Sequence, residues 1–263
     1  LYIGIPFCPG RCRYCSFVSY ATPQLKALLP EYTDALLKEV SMLSETARSL
    51  NLKLKSVYIG GGTPTVLEEK QLEKLLEMLN NNFELNQNVE FTCEAGRPDT
   101  INKKKLELLK KYGVGRISVN TQTTNDSILS SVGRGHTFSD YIKAYHMAEE
   151  LGFSVNTDLI AGLPGESTES FRKSVDDVVS LLPGNITVHA FSLKKSSEYT
   201  CEGRRFDISD DKIADMISYS YKKITDSGYF PYYIYRQKNT EGNFENTGYT
   251  RDEAYAGLYN VYM

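Results

Sequence analysis

The sequence lacks long hydrophobic runs and an excess of basic charge. No segment approaches the roughly 18 consecutive apolar residues that a membrane-spanning helix needs. The 30 Lys and Arg residues are balanced by 33 Asp and Glu, for a net charge of −3. Proteins that hold a long phosphate backbone usually carry a basic face. The composition therefore argues against a membrane span and against a nucleic-acid partner.

Cysteine and histidine are also scarce, with five Cys and three His in 263 residues. An odd number of cysteines, three of them clustered, does not match the disulfide framework of a secreted protein. We therefore expect a cytoplasmic protein in which Cys93 and Cys201 are small buried side chains. The chain opens at Leu1 in strand-like sequence, which predicts that further residues precede it in the full protein.

Short apolar runs alternate with amphipathic stretches along most of the chain. The runs predict strands over residues 2–6, 55–61, 88–94, 115–122, 153–164 (the last part a turn) and 185–193. Helical spacing predicts helices over residues 32–50, 67–79, 100–113, 139–152, 171–182 and 209–226, with Thr100, Ser139 and Ser209 as N-caps. The tyrosine-rich tail around residues 229–236 predicts one more strand. This alternation is typical of βαβ units and a parallel sheet, either open or curled into a partial barrel.

Ligands of such sheets bind at the C-terminal ends of the strands. Polar or glycine residues recur there. They are the three clustered cysteines, the segment GGGTP, Glu94, Gln122, Asp158 with GLPGE, and His189 with Ala190. The recurrence predicts one site built from several strand ends.

The clustered cysteines, Cys8, Cys12 and Cys15, have the spacing C-x3-C-x2-C. A closed zinc site would need a fourth ligand from afar: Cys93, Cys201 or a histidine. A redox dithiol of Cys12 and Cys15 would leave Cys8 unexplained. An iron–sulfur cubane held by three cysteines would leave one iron open to another ligand. We favour the cubane.

These residues resemble the radical S-adenosylmethionine superfamily. The resemblance rests on the cysteine spacing after the first strand, on Tyr14 before the last cysteine, and on GGGTP after the second strand. Within the superfamily, YIGIPFC, CEAGRPD, RISVNTQ and DLIAGLPGE resemble the oxygen-independent coproporphyrinogen III oxidase branch, most of all its coproporphyrinogen dehydrogenase members. The resemblance implies an α/β fold: a parallel-stranded partial (β/α)6 TIM-like barrel over residues 1–200. A C-terminal extension over residues 201–263 would cover the substrate side.

The resemblance also implies a [4Fe-4S] cluster and S-adenosylmethionine as cofactors. Reductive cleavage of the sulfonium would supply a 5′-deoxyadenosyl radical that takes hydrogen from a propionate of coproporphyrinogen III. Carbon dioxide and an electron would then leave, and a vinyl group would remain. The implied partners are a tetrapyrrole substrate and a low-potential electron donor such as flavodoxin or ferredoxin. The alternatives are a haem chaperone of the same family, and a radical methyltransferase or haem-degrading enzyme.

The implied site residues follow from matching positions. Cys8, Cys12 and Cys15 would bind the cluster, and the cofactor would be held by Gly60, Gly61, Gly62, Thr63, Glu94, Gln122, Arg134, Asp158 and Ala190. Catalytic roles fall to Glu94 and to Tyr2, the latter on the substrate side. Competing interpretations are a surface Glu94, a solvated loop Arg134 and a Tyr2 that is a buried barrel aromatic.

Two positions depart from the well-studied oxidases of the branch. Phe17 stands where they have a fourth cysteine, and Gly4 stands where they have histidine. In the tail, Arg236 and Lys238 are candidates to pair with substrate carboxylates.

Overall fold

The computed structural model describes residues 1–15, 21–203, 209–236, 240 and 243–262. Phe17 and Lys238 lie outside the described residues. The strands are β1 (Tyr2–Ile5), β2 (Ser56–Gly61), β3 (Glu90–Glu94), β4 (Arg116–Ser118), β5 (Ser154–Ala161), β6 (Asn185–Ala190), β7 (Phe230–Tyr235) and β8 (Asn246–Thr250). The helices are α1 (Pro23–Lys26), α2 (Leu29–Ser49), α3 (Glu69–Asn82), α4 (Lys103–Lys111), α5 (Asp126–Ser131), α6 (Phe138–Glu150), α7 (Thr168–Ser180), α8 (Glu198–Cys201), α9 (Asp210–Asp226) and α10 (Leu258–Tyr262).

All strands belong to one sheet in the order β1-β2-β3-β4-β5-β6-β8-β7. The first six are parallel neighbours in chain order, with helices in the connections. Strand β8 pairs antiparallel with β6, and β7 pairs antiparallel with β8. The sheet is open rather than closed, and the predicted α/β fold, a parallel-stranded partial barrel with a C-terminal extension, is confirmed. The boundary at residue 200 stays a prediction.

Each central strand has an apolar face and a polar face. In β2, Val57 and Ile59 are buried in the main core, together with leucines of α3 and α4. Tyr58 alternates with them and lines a cavity on the other face of the sheet. Because side chains alternate along a strand, the same segment contributes to the core and to the polar interior.

The two cysteines outside the cluster motif differ in burial. Cys93 on β3 is fully buried in the core, as predicted. The prediction that Cys201 is buried was wrong: it is exposed at the end of the short helix α8. Helix α8 buries Tyr199 instead, and Cys201 at its end lies on the exposed side.

Two predicted helix N-caps were wrong. The cap of α4 is Asn102, whose side chain accepts the Lys105 N–H, while Thr100 ends a 3-10 turn. The cap of α6 is Thr137, which forms a capping box with Asp140, so that Ser139 lies inside the helix. Several cap-forming residues stand near each start, and the path of the preceding loop selects one. Ser209 stands at the N-cap position of α9, as predicted, but its side chain makes no capping hydrogen bond.

The C-terminal segment is held by hydrogen bonds at the N-terminal ends of β3 and β4. Glu90 at the start of β3 accepts the backbone N–H groups of Leu258 and Tyr259 at 2.8 and 3.3 Å. Arg116 lies 3.7 Å from Glu90 and donates to Asn185 and to the Tyr255 carbonyl.

Within the described ranges, no helix is both long enough and apolar enough to span a membrane.

Candidate functional site

The C-terminal ends of the parallel strands surround a cavity of about 350 Å³. From the predicted site, its lining includes Cys8, Cys12, Cys15, Gly61, Gly62, Thr63, Glu94, Gln122, Arg134, Asp158 and Ala190. Gly60 lies beside it on β2. Residues from six strand ends therefore meet around one space, although they are spread from residue 8 to residue 190.

The three cysteines line this cavity from the loop after β1. Thr63 Oγ1 lies 3.5 Å from Cys8 Sγ, and Arg97 Nη1 lies 3.4 Å from Cys12 Sγ. Burial raises the pKa of the Cys8 thiol, and the hydrogen bond with Thr63 acts against this rise. Among the described residues, no three His, Cys, Asp or Glu side chains are grouped to hold a single metal ion.

Glycine is required where GGGTP passes the cysteine loop. A Cβ at position 62 would lie 2.6 Å from the Phe7 carbonyl oxygen and 3.0 Å from Cys8 Sγ. Gly61 has a φ of 106°, which few other residues adopt. The segment therefore presents bare backbone beside the sulfurs, which is the shape that a ligand bound against the main chain needs.

Two buried arginines flank the site. Arg134 donates from Nη2 to the carbonyls of Gly96 and Asn120 at 2.8 and 2.6 Å, so it is not a solvated loop residue. Its Nε has no hydrogen-bond partner among the described residues. Arg97, which pairs with Asp99 at 3.0 Å, was not identified from the sequence. Its position three residues after Glu94, at the end of a predicted strand, is the feature of the sequence that could have identified it.

Glu94 is partly buried at the end of β3, where both of its carboxylate oxygens have protein partners, so the interpretation as an ordinary surface residue is wrong. Its Oε1 accepts the Tyr58 hydroxyl at 2.6 Å, and its Oε2 accepts the Gly61 N–H at 3.2 Å. Burial raises the pKa of Glu94 to about 7, and the nearby Asp158 adds to this effect while the two hydrogen bonds oppose it. A cationic ligand in the cavity would restore the ionised form.

Asp158 on β5 is held by its neighbours in the ionised form. It accepts the side-chain amides of Asn120 and Asn156, both at 2.8 Å, and His189 Nε2 lies 3.6 Å away. Burial acts to raise the pKa of the Asp158 carboxyl, but His189 and the amide hydrogen bonds outweigh it and the pKa lies below its ordinary value. The pKa of Glu94 is thus raised and the pKa of Asp158 is lowered, although both acids line the same cavity.

Gln122 has the local geometry of a ligand-binding residue. Its backbone φ is 71°, a left-handed conformation that is uncommon for a residue other than glycine. Backbone hydrogen bonds to the Asp158 carbonyl and from Ile160 hold it there. Its buried Oε1 has no hydrogen-bond partner within the described part of the chain. Strain together with an unsatisfied acceptor at a cavity indicates a bound donor.

A second cavity of about 690 Å³ occupies the polar interior of the sheet. Its lining shares Glu94, Asp158, His189 and Tyr235 with the first cavity, so the two spaces adjoin. The remaining lining is rich in tyrosine: Tyr58, Tyr232, Tyr233 and Tyr259. This cavity was not identified from the sequence, although the alternation of polar residues in the strands is its signature.

Tyr2, Gly4 and Arg236, which the sequence analysis singled out, line neither cavity. Tyr2 is 48% exposed and stacks on Tyr58 and Tyr259, with ring centroids 6.1 and 5.8 Å apart, so it is not a buried barrel aromatic. Gly4 pairs with Gly60 in the β1–β2 register. Arg236 forms an exposed ion pair with Glu245.

Comparison with known proteins places this site in a family. The chain matches the model of the Radical SAM superfamily over residues 2–178. It is 38% identical over 264 residues to the oxygen-independent coproporphyrinogen-III oxidase-like protein HemZ of Bacillus subtilis, across 99% of this chain and 52% of that protein. It is 36% identical over 200 residues to the heme chaperone HemW of Bacillus subtilis, across 75% of this chain and 52% of that protein.

Solved structures agree with the sequence matches. The coproporphyrinogen III oxidase HemN of Escherichia coli superposes with a TM-score of 0.79 at 27% identity, across 96% of this chain and 56% of that chain. The chain spans about half the length of the curated relatives named above. The match over residues 2–178 includes all three clustered cysteines and the glycine segment beside them. The chain belongs to the radical SAM superfamily, whose members bind a [4Fe-4S] cluster and S-adenosylmethionine.

Proposed function

We propose that this chain carries the catalytic domain of an oxygen-independent coproporphyrinogen III dehydrogenase. The reaction is the oxidative decarboxylation of substrate propionates to vinyl groups, which yields protoporphyrinogen IX. The observation that supports it most directly is the junction of the two cavities at Glu94, Asp158, His189 and Tyr235. A substrate in the larger cavity would meet a cofactor in the smaller one without crossing solvent.

The residues of the smaller cavity fit the cofactors. Cys8, Cys12 and Cys15 would hold the cluster. Gly61 and Gly62 line the same cavity as the cysteines, and their backbone would lie against the methionine end of S-adenosylmethionine. When bound, the two cofactors together supply a carbon-centred radical that can remove hydrogen from an unactivated carbon.

Polar side chains would orient the cofactor. Glu94 would face its positive charge, and the unsatisfied Gln122 Oε1 would accept a hydrogen bond from it. Asp158 would bind a ribose hydroxyl, and the Arg134 guanidinium would attract the carboxylate. Ala190 would contact adenine through its backbone, although its N–H already donates to Asn246 Oδ1 at 2.9 Å.

The larger cavity has the size and chemistry for a tetrapyrrole. Its volume lies within the roughly 300–1,000 Å³ of ordinary small-molecule sites. Tyrosine rings offer faces to pyrroles, and their hydroxyls can accept pyrrole N–H groups. Tyr2, on the outer side of the Tyr58 ring, would act at the substrate side of this stack. We propose a low-potential partner such as flavodoxin or ferredoxin as the electron donor.

A second candidate function is haem delivery by a chaperone. It is supported by the 36% identity to the heme chaperone HemW and by His189, whose imidazole lines the larger cavity. His136 is buried away from both cavity linings, and His146 pairs with Glu149 on α6. His189 is therefore the histidine to test as an iron ligand.

One anaerobic assay separates these functions. Cluster-reconstituted protein receives S-adenosylmethionine, a reductant and coproporphyrinogen III, and products are identified by mass spectrometry. We expect carbon dioxide, 5′-deoxyadenosine and a product that is lighter by one carbon dioxide and two hydrogen atoms for each converted propionate. The Cys15→Ala variant is the matched control.

Other outcomes reassign the function. Stoichiometric transfer of haem to an acceptor apoprotein, abolished by His189→Ala and without turnover of any tetrapyrrole, would establish the chaperone. A gain of a methyl group or an opened macrocycle would identify a different radical reaction. Cofactor cleavage with no tetrapyrrole product would reject the substrate and leave the radical chemistry intact.

A further inference from the structure

We infer that Tyr58 is a positioning residue: its hydroxyl binds the Glu94 carboxylate and holds it in the direction of the cofactor cavity. The inference rests on the proposed role of Glu94 in cofactor binding, and it is independent of the tetrapyrrole. No motif of the sequence pointed to Tyr58, which is the third residue of β2.

The two oxygens of Glu94 are held from the same strand. The Tyr58 hydroxyl donates to Oε1 at 2.6 Å, and the Gly61 N–H donates to Oε2 at 3.2 Å. Hydrogen bonds to a charged group are stronger than those between neutral groups. Because both donors come from β2 and the acceptor from the adjacent β3, the strand register fixes the direction of the carboxylate.

Gly60 provides the space for this contact. A Cβ at position 60 would lie 2.7 Å from Tyr58 Cε1 and 3.0 Å from Glu94 Oε2. Any side chain there would push the ring and the carboxylate apart. The first glycine of the GGG segment therefore leaves the room that the Tyr58–Glu94 pair needs.

The ring of Tyr58 is itself held in place by stacking. Tyr259 of α10 lies on one side with ring centroids 4.2 Å apart, and Tyr2 of β1 stacks at 6.1 Å. A ring held in this way loses little further freedom when its hydroxyl binds a partner. The hydroxyl is thus directed at Glu94 before any cofactor arrives.

The charged and titratable groups around Glu94 decide how its ionisation responds to pH. Those that line the same two cavities or stack on Tyr58 are Tyr2, Cys8, Cys12, Tyr14, Cys15, Arg97, Arg116, Arg134, Asp158, His189, Lys194, Tyr232, Tyr233, Tyr235 and Tyr259. Burial and Asp158 oppose ionisation of Glu94, whereas Tyr58 and Gly61 favour it. Loss of the Tyr58 hydroxyl should therefore weaken binding of a positively charged ligand most where Glu94 is already largely protonated.

The test measures S-adenosylmethionine affinity by calorimetry on reconstituted protein with the cluster kept oxidised, so that no turnover occurs. Tyr58→Phe keeps the ring and removes the hydroxyl. We expect it to lower affinity about tenfold at about pH 6 and less than about threefold at about pH 8.5. Tyr259→Phe, which removes a hydroxyl from the same stack, is the control and should not change the pH dependence.

A double-mutant cycle tests whether the effect acts through Glu94. In a Glu94→Gln background, Tyr58→Phe should cause no further pH-dependent loss. Equal losses at both pH values, or the same pH-dependent loss without Glu94, would overturn the inference. An unchanged affinity at both pH values would overturn it as well. Cluster absorbance reports folding in every variant, and failure of the tetrapyrrole assay alone would leave these results unaffected.

Discussion

His189 Nδ1 lies 3.0 Å from the Tyr235 hydroxyl, and this contact joins β6 of the parallel sheet to β7 of the C-terminal extension. The other ring nitrogen, Nε2, lies 3.6 Å from Asp158. One imidazole therefore links the extension to an acid of the cofactor cavity. On the opposite side of the larger cavity, Tyr259 of the extension stacks on Tyr58, which holds Glu94. Tyrosines of the extension therefore contact the residues that hold both acids: Tyr235 contacts His189 beside Asp158, and Tyr259 contacts Tyr58 beside Glu94.

The Tyr235–His189 contact should contribute to stability. We expect Tyr235→Phe to lower the free energy of unfolding by about 1 kcal/mol, because a partly buried hydrogen bond is lost while the ring remains. Urea denaturation measures the change. Tyr221→Phe on α9, where the ring is 54% exposed, is the control and should change the value by less than about 0.5 kcal/mol. Equal effects of the two variants would contradict the prediction.

The clustered cysteines should be required for the iron–sulfur centre. Alanine at Cys8, Cys12 or Cys15 should abolish the brown cluster absorbance and all cleavage of S-adenosylmethionine, because each thiolate would bind one iron in the proposed site. Cys201→Ala, at an exposed thiol, should leave iron content unchanged. Stoichiometric zinc in aerobic or anaerobic preparations, bound through Cys201 or Cys93, would show that the site is a closed metal centre instead.

Glu94 and Arg134 should affect the cofactor without affecting the cluster. Glu94→Gln and Arg134→Ala should each weaken S-adenosylmethionine binding at least about tenfold, because each would remove a charge that faces an opposite charge of the cofactor in the proposed site. Absorbance and iron content should match the wild type. Glu149→Gln, an exposed acid on α6, is the control. Wild-type affinity in both site variants would mean that the cofactor binds elsewhere.

Glu166 should make stability depend on pH. Burial raises its pKa to about 7, against the hydrogen bonds from Thr123 and Ser170. A carboxyl with a raised pKa stabilises the fold at low pH, and this contribution is lost as the pH rises through about 7. Glu166→Gln stays neutral, so it should match the wild type near pH 5 and exceed its stability near pH 8 by on the order of 2 kcal/mol.

Urea midpoints at the two pH values measure this difference. Other titrating groups, including the buried His136 whose pKa burial lowers to about 3, are present in both proteins and cancel. A variant less stable than the wild type at pH 8 would show that the Glu166 charge is needed.

The sequence predicted the elements that have strong internal patterns. In the six parallel strands and the long helices, apolar residues recur at a regular spacing and form a face that the fold must bury. Strand β8, with the sequence NTGYT, was missed because it has no such pattern and is a strand only through pairing with β6 and β7. Helix α5 was missed because six residues give too few turns for a periodic signal.

The residues of the candidate site also fall into those that the sequence could predict and those that it could not. Residues at strand ends could be predicted because parallel strands bring their C-terminal ends together. Arg97, Tyr58 and the larger cavity could not, because their roles depend on which rings and charges face them across the interior. The burial of Arg134, and the enclosure of Glu94 by Tyr58 and Gly61, were likewise decided by the packing.

The sequence by itself determined the chemistry of the cluster loop. Three cysteines within eight residues need only local chain geometry to converge, so their spacing carries the family and the metal centre. The tertiary structure alone decided which partners tune that chemistry. Tyr58 reaches Glu94 over 36 positions, Tyr235 reaches His189 over 46, and Arg97 reaches Cys12 over 85. Such contacts are set by strand register and by how the chain closes around its interior, and spacing along a sequence does not encode either one.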